Sequence, residues 1–249
     1  ADGSVSALGN APPASLTHRD FRVRPDLNVI EAVPGFSQGG ACDTEFGERL
    51  LSLPTSPVRQ TVLGQPAPGL IEDVSILEWF EIGRIWPIST PQKRFGAGAD
   101  GYFTAARGLA CYVGDVAPKY ENNAFVCEPL GNLVHRRVLT RRGSVLVAKR
   151  GESGSEFLAS SDEWFRPVNV ATGPDGALYI VDFCRQYVEH SSLAPENERE
   201  SIAWRSGDTM GRIWRVRPRA WDRSSRQPPA LSSASSEELA NSLRSTNGW

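Results

Sequence analysis

Short apolar runs, alternating with polar residues and closed by turn residues, recur along most of the chain. The clearest pair lies in the stretch EWFRPVNVATGPDGALYIVDF, from Glu163 to Phe183, and flanks Gly173-Pro174-Asp175-Gly176. Proline presets one dihedral angle of that turn, and Asp-Gly accepts positive φ. On either side, Val168 to Ala171 and Ala177 to Val181 are rich in β-branched and aromatic residues, which predicts a β-hairpin.

The same pattern predicts strands elsewhere. Asp20 to Pro25 (DFRVRP) alternates polar and apolar positions, and a turn at Asp26–Asn28 leads into a second strand through Val33. Gly40 to Asp43, Arg49 to Leu53 and Val58 to Leu63 follow, separated by Glu45-Phe46-Gly47 and by Ser56-Pro57. Leu109 to Val113, Asn123 to Cys127, Gly131 to Leu139 and Val145 to Ala148 make a four-strand set. Gly131-Asn132-Leu133-Val134-His135-Arg136 and Gly211-Arg212-Ile213-Trp214-Arg215-Val216 share a turn glycine, a polar residue and an apolar strand. They read as the same element in successive units, spread apart by insertions. Recurring hairpins of this kind predict an all-β fold: a partial β-propeller over residues 19–218, with about three blades of four-stranded antiparallel sheets.

Between these units the pattern weakens. Gly83 to Ile88 (GRIWPI) reads as a strand, Ile76 to Phe80 as a strand or helical turn, and Pro91 to Gly101 as a loop. Together, residues 64–101 form an elaborated blade edge or a lid. Residues 1–18 are expected to be irregular and 219–230 a linker. Ser235-Ser236-Glu237-Glu238-Leu239 places a capping serine before acidic first-turn residues, predicting a short C-terminal helix to about Ser245 with Asn247-Gly248 as its stop. One short helix cannot bury its apolar face alone, so residues 231–249 are expected to be followed by further chain in a longer parent protein.

Composition adds mainly exclusions. With 40% hydrophobic and 22% charged residues, the chain falls in the ordinary globular class. A net charge of −2 gives no reason to expect a nucleic-acid surface or an anionic membrane partner. Arg136-Arg137 with Arg141-Arg142 reads as a solvated hairpin tip, since it lacks the interleaved aromatics of a nucleic-acid groove. No run approaches the roughly 20 apolar residues of a membrane span. Cys42, Cys111, Cys127 and Cys184 form neither CxxC nor CxxCH, so neither a redox dithiol motif nor a c-type haem attachment is encoded. Cys111 and Cys127 sit in runs that pair as neighbouring strands. A register placing them opposite each other would allow a disulfide; two small residues buried in a sheet is the alternative.

Three strings carry a family resemblance: NNAFVCEPLGNLVHRRVL (122–139), EFLASSDEWFRPVNVATGPDGALYIVDFCR (156–185) and MGRIWRVRP (210–218). DFRVRP and GYFTAARGL (101–109) fit more weakly. They resemble the propeller region of proteins of Planctomycetes and Verrucomicrobia described as membrane-bound dehydrogenases, which are similar to glucose/sorbosone dehydrogenases. The resemblance implies a propeller that holds pyrroloquinoline quinone and Ca²⁺, an extracytoplasmic location, and a carbohydrate or polyol substrate. It also implies HEAT-like helical repeats and a cytochrome c domain as electron acceptor after the propeller.

Propellers place their sites at the channel mouth, among loops entering and leaving the inner strands. Arg166, just before the hairpin, resembles an arginine aimed at a quinone carboxylate; the alternative is an arginine bridging blades through backbone carbonyls. Asp182 and Arg185 flank the end of the second strand, and Glu128 occupies the matching place one unit earlier. Asp182 is a candidate for acid–base work and Glu128 for an oxygen-ligated cation, although carboxylates at strand ends also cap turns. His190 is the candidate base for abstraction from a sugar hydroxyl, while His135, in mid-strand, reads as structural. Trp164 and Gln38 complete the candidate cofactor contacts with Arg166 and Arg185. The resemblance thus implies a piece of a sugar or polyol dehydrogenase-like propeller, expected to be inactive alone because an open arc leaves unpaired edges. The rival is a non-catalytic propeller that binds glycan or protein.

Overall fold

The computed structural model describes residues 4–5, 13–16, 19–62, 73–75, 83–90, 95, 100–221 and 230–248. In the segment expected to be irregular, β1 (Ser4–Val5) and β2 (Ala14–Ser15) form a minimal antiparallel pair. β3 (Asp20–Arg24) and β4 (Val29–Val33) pair across a tight turn that Asn28 closes at φ 50°; asparagine tolerates that left-handed backbone better than most residues. Three larger sheets follow, each antiparallel and, along its main path, in chain order. The first blade is β5 (Gly40–Asp43), β6 (Arg49–Leu53), β7 (Ser56–Thr61) and β8 (Asp73–Ser75). The second is β9 (Arg107–Cys111), β10 (Asn123–Glu128), β11 (Leu133–Arg142) and β12 (Val145–Arg150), with β13 (Leu158–Ala159) also pairing with β11. The third is β14 (Pro167–Thr172), β15 (Leu178–Asp182) and β16 (Arg212–Val216). Two short α-helices, α1 (Glu196–Arg199) and α2 (Ser236–Ser242), and several 3-10 turns are the remaining described elements.

The first strands of the three blades, β5, β9 and β14, pack side by side. Their approach is backbone on backbone. The Gly108 N–H donates to the Gly39 carbonyl at 2.8 Å, and a Cβ on Gly108 would stand 2.5 Å from Asn169 Cα. Only glycine fits there, and its φ of +61° is a second reason.

Two apolar layers fill the gaps between blades. β10 supplies both because successive side chains point to opposite faces. Ala124 and Val126 join Leu50, Val58, Phe103 and Leu133 between the first and second blades. Phe125 and Cys127 join Tyr112, Phe165, Val170 and Ile180 between the second and third. A sheet covered on both faces reads as a continuous apolar run, as AFVC (124–127) does. This is an all-β, partial-propeller architecture with a short C-terminal helix.

The structure departs from the sequence expectations at several places. Residues 83–88 make no strand; Arg84 forms a single bridge with Tyr102, and Pro87 cannot donate to a ladder. Ile76–Phe80 and most of the expected linker lie outside the described residues. Cys111 is not opposite Cys127: it pairs with Ala124, while Cys127 faces Arg107 across a register shift. All four cysteines are free thiols. Ser235 caps α2 in a capping box with Glu238, but the helix ends at Ser242, short of Ser245. Asn247 and Gly248 instead lie across the domain, where Asn247 Nδ2 donates to the Pro174 carbonyl at 3.0 Å and Gly248 N–H to the Val113 carbonyl at 2.7 Å.

Candidate functional site

The inner strands define two mouths. Gln38, Glu128, Arg166 and Asp182 belong to the mouth where β5, β9 and β14 begin, and two of them repeat one motif. Glu128, fully buried at the end of β10, accepts the Ala105 N–H at 2.9 Å and the Thr104 N–H at 3.1 Å on Oε2, and the Leu130 N–H at 3.2 Å on Oε1. Asp182, 1% exposed at the end of β15, accepts the Arg166 N–H and the Cys184 N–H on Oδ1, each at 2.9 Å. In both blades the carboxylate at the close of the second strand ties the approach to the first strand to the residue two positions on. Asp182 adds Arg212 Nε at 2.7 Å and the Trp214 indole N–H at 2.8 Å on Oδ2. These donors offset the cost of burying a carboxylate away from water.

Arg166 is 2% exposed. Its guanidinium donates to the carbonyls of Pro129 (2.9 Å), Arg185 (3.0 Å) and Gln186 (2.5 Å), bridging the second and third blades. Trp164 is half-buried, with its N–H on Asp162 Oδ1 at 2.9 Å. The Arg185 guanidinium lies 4.4 Å from the centre of the Phe183 ring and donates to the Asp208 carbonyl at 3.3 Å. His190 is exposed and acts locally, its Nδ1 accepting the Ser192 N–H at 3.1 Å and so capping the 3-10 turn Ser191–Leu193. Gln38 is exposed on the loop before β5. The structure therefore gathers Arg166, Asp182 and the Arg185 backbone into one knot and leaves His190 and Gln38 outside it. Among the described residues, no group of three or more His, Cys, Asp or Glu side chains is placed to hold a metal ion. With Arg166 directed onto carbonyls and both carboxylates onto backbone donors, this knot does not fit a quinone carboxylate or Ca²⁺.

The opposite mouth, where the inner strands end, holds a cleft of about 1210 Å³. Its wall includes Asp43, Phe46, Glu48, Asp115, Arg141 and Thr172, and Ser245, Thr246 and Gly248 also line it. Phe46, at the tip of the β5–β6 turn, is 73% exposed. The Arg141 guanidinium lies 5.8 Å from that ring and donates to Glu48, which also accepts from Thr44. The sequence signal for this cleft is the Glu45-Phe46-Gly47 turn, an aromatic residue at a loop tip where packing does not require one. No single stretch could show that Arg141, 93 residues beyond Glu48, meets it.

A third cluster is fully internal. His135 Nδ1 and Glu156 Oε2 are 2.5 Å apart, both buried, and Glu156 Oε1 accepts Arg150 at 3.1 Å and the Trp86 N–H at 2.9 Å. Burial pushes the imidazole down to about 4 against the opposing pull of Glu156, so His135 is neutral at pH 7.

Antiparallel sheets ranged about adjoining inner strands define a domain of β-propeller type. The chain belongs to the family described as "Domain of unknown function (DUF7133)", whose model matches residues 2–220. Among solved structures, it is similar to the soluble aldose sugar dehydrogenase (Asd) from Escherichia coli in the apo-form, with 15% sequence identity and a TM-score of 0.30. That similarity covers 68% of this chain and 43% of the other, so the chain spans less than half of the neighbour's length. A comparison with curated proteins found no match.

Proposed function

We propose that this chain is the carbohydrate- or polyol-binding arc of an extracytoplasmic, dehydrogenase-like propeller protein, and that binding occurs at the mouth lined by Phe46, Glu48 and Arg141. The observation that carries this reading is the exposed Phe46 ring beside a carboxylate and a guanidinium over an open cleft. An exposed ring can stack on the C–H face of a sugar, while a carboxylate accepts from neighbouring hydroxyls and a guanidinium donates to them. Asp43, exposed two residues before Glu45, adds a second acceptor. The quinone-dependent oxidation that the sequence resemblance implies, with its Ca²⁺ and its cytochrome c acceptor, would need residues other than those of the knot at Arg166 and Asp182. The isolated chain is expected to bind sugars without oxidising them.

The test is ligand-observed NMR with a panel of aldoses and polyols against the 249-residue chain. Saturable binding, lost in Phe46→Ala and weakened in Glu48→Gln while the far-UV spectrum is unchanged, supports the reading. A folded wild-type chain that binds nothing in the panel overturns it.

A further inference from the structure

The geometry points to Cys42 and Cys111 as a thiol–disulfide exchange site that joins the first blade to the second when a small disulfide oxidant is present. The two sulfurs are 3.8 Å apart although 69 positions separate the residues. Each sits near the end of an inner strand, Cys42 on β5 and Cys111 on β9. The strands can come this close because Gly40 and Gly108 face each other near their beginnings: a Cβ on Gly40 would be 3.0 Å from Gly108 N. A disulfide needs about 2.05 Å between sulfurs, so bonding requires the two side chains to rotate toward each other. Both side chains are half-buried and line the cleft, which gives a small reagent access. Cys127 and Cys184, at 0% and 1% exposure, have no such access.

The two thiols are not equivalent. The hydrogen bond from Cys42 holds the Cys111 thiol below its ordinary value against burial and the nearby Asp43 charge. That same bond, together with burial, pushes Cys42 up. Cys111 is therefore the attacking thiolate. It displaces one sulfur of a disulfide R–S–S–R, giving a Cys111–S–S–R mixed disulfide and one thiol, R–SH. Cys42 then attacks Cys111 Sγ and expels the second R–SH. The protein thiols lose two electrons to the oxidant's S–S bond, and their two protons leave on the released thiols. The sequence has no CxxC; the pair is made by the neighbouring of two blades.

The test incubates the folded chain with oxidised glutathione, quenches with acid, alkylates after denaturation, and maps peptides by mass spectrometry. The expected product is one internal link between Cys42 and Cys111, with Cys127 and Cys184 alkylated. Cys42→Ser is expected to trap glutathione on Cys111, and Cys111→Ser to form no internal link. A second readout uses unmodified protein: phenylarsine oxide, which bridges neighbouring thiols, is expected to bind one per folded wild-type chain and not to either variant. Separate glutathione adducts on Cys42 and Cys111 in the wild type, or both residues fully alkylated after oxidation, would overturn the assignment.

Discussion

The backbone N–H of Arg166 donates to Asp182 Oδ1 at 2.9 Å, so the entry to the third blade hangs on a carboxylate sixteen residues further along. With Cys184, Arg212 and Trp214 as further donors, this one side chain gathers three strands. Removing a buried acceptor leaves its donors unsatisfied, at about 1–3 kcal/mol per group. On that scale, Asp182→Ala is expected to lower unfolding stability by about 3–5 kcal/mol, and Asp182→Asn by less, because the amide oxygen still accepts. Urea unfolding midpoints check both.

Arg166 is the cross-brace between blades. A lysine in its place keeps the charge but cannot reach three carbonyls from one planar fork. Arg166→Lys is expected to cost about 2–3 kcal/mol and to leave sugar binding at the other mouth unchanged. Unfolding and ligand titration on the same sample separate the two effects.

Gly108 tests the hub. An alanine there would place Cβ 2.5 Å from Asn169 Cα at a φ of +61°, and backbone atoms cannot yield as a flexible side chain can. Gly108→Ala is expected to cost more than about 3 kcal/mol. Gly143, at φ +63° with nothing within 4 Å, carries the dihedral penalty alone, about 1–2 kcal/mol. Thermal unfolding of the two alanine variants side by side distinguishes crowding from dihedral cost.

His135 and Glu156 set an acid limit. The folded imidazole takes its proton only near pH 4, whereas the unfolded one takes it near 6.5. Between those values the unfolded state holds more protons, so stability falls as pH drops, by up to about 3 kcal/mol. Below about 4 both states are protonated and this loss levels off. Burial pushes Glu156 up, but the His135 hydrogen bond, Arg150 and the Trp86 N–H hold it below its ordinary 4.5. Its contribution is present above that value and is lost as pH falls further. His135→Gln is expected to flatten the slope between about pH 6.5 and 4.5 and keep the steeper loss below it, as measured by urea unfolding across that range.

Much of the blade pattern is readable in the sequence because strands and turns are local. The Gly173–Gly176 turn lies between β14 and β15, and GNLVHR and GRIWRV both run into the third strand of their sheets. GRIWPI misleads because it opens with the same four residues as GRIWRV, while Pro87 and the missing partner tell only in space. Side-chain purpose at the strand ends is not readable. Whether Arg166 faces a ligand or a carbonyl depends on where Pro129, 37 residues earlier, presents its oxygen. Strand order suggests Cys127 as the companion of Cys111, whereas its actual companion, Cys42, lies on another blade. Contacts between blades follow from the close approach of inner strands, which leaves no periodic trace in the sequence.

The bare-backbone contacts of Gly39, Gly40 and Gly108 have a bearing on how such a chain can change over time. Where these glycines meet the neighbouring strand there is no side chain to yield, so the spacing of the blades is fixed there and added length is accommodated more readily at the periphery. Residues 183–211 fit this, since that long excursion joins β15 to β16 and leaves the inner strand β14 untouched. Novelty in this architecture is therefore expected to accumulate in the outer loops, around a centre that tolerates almost no alteration.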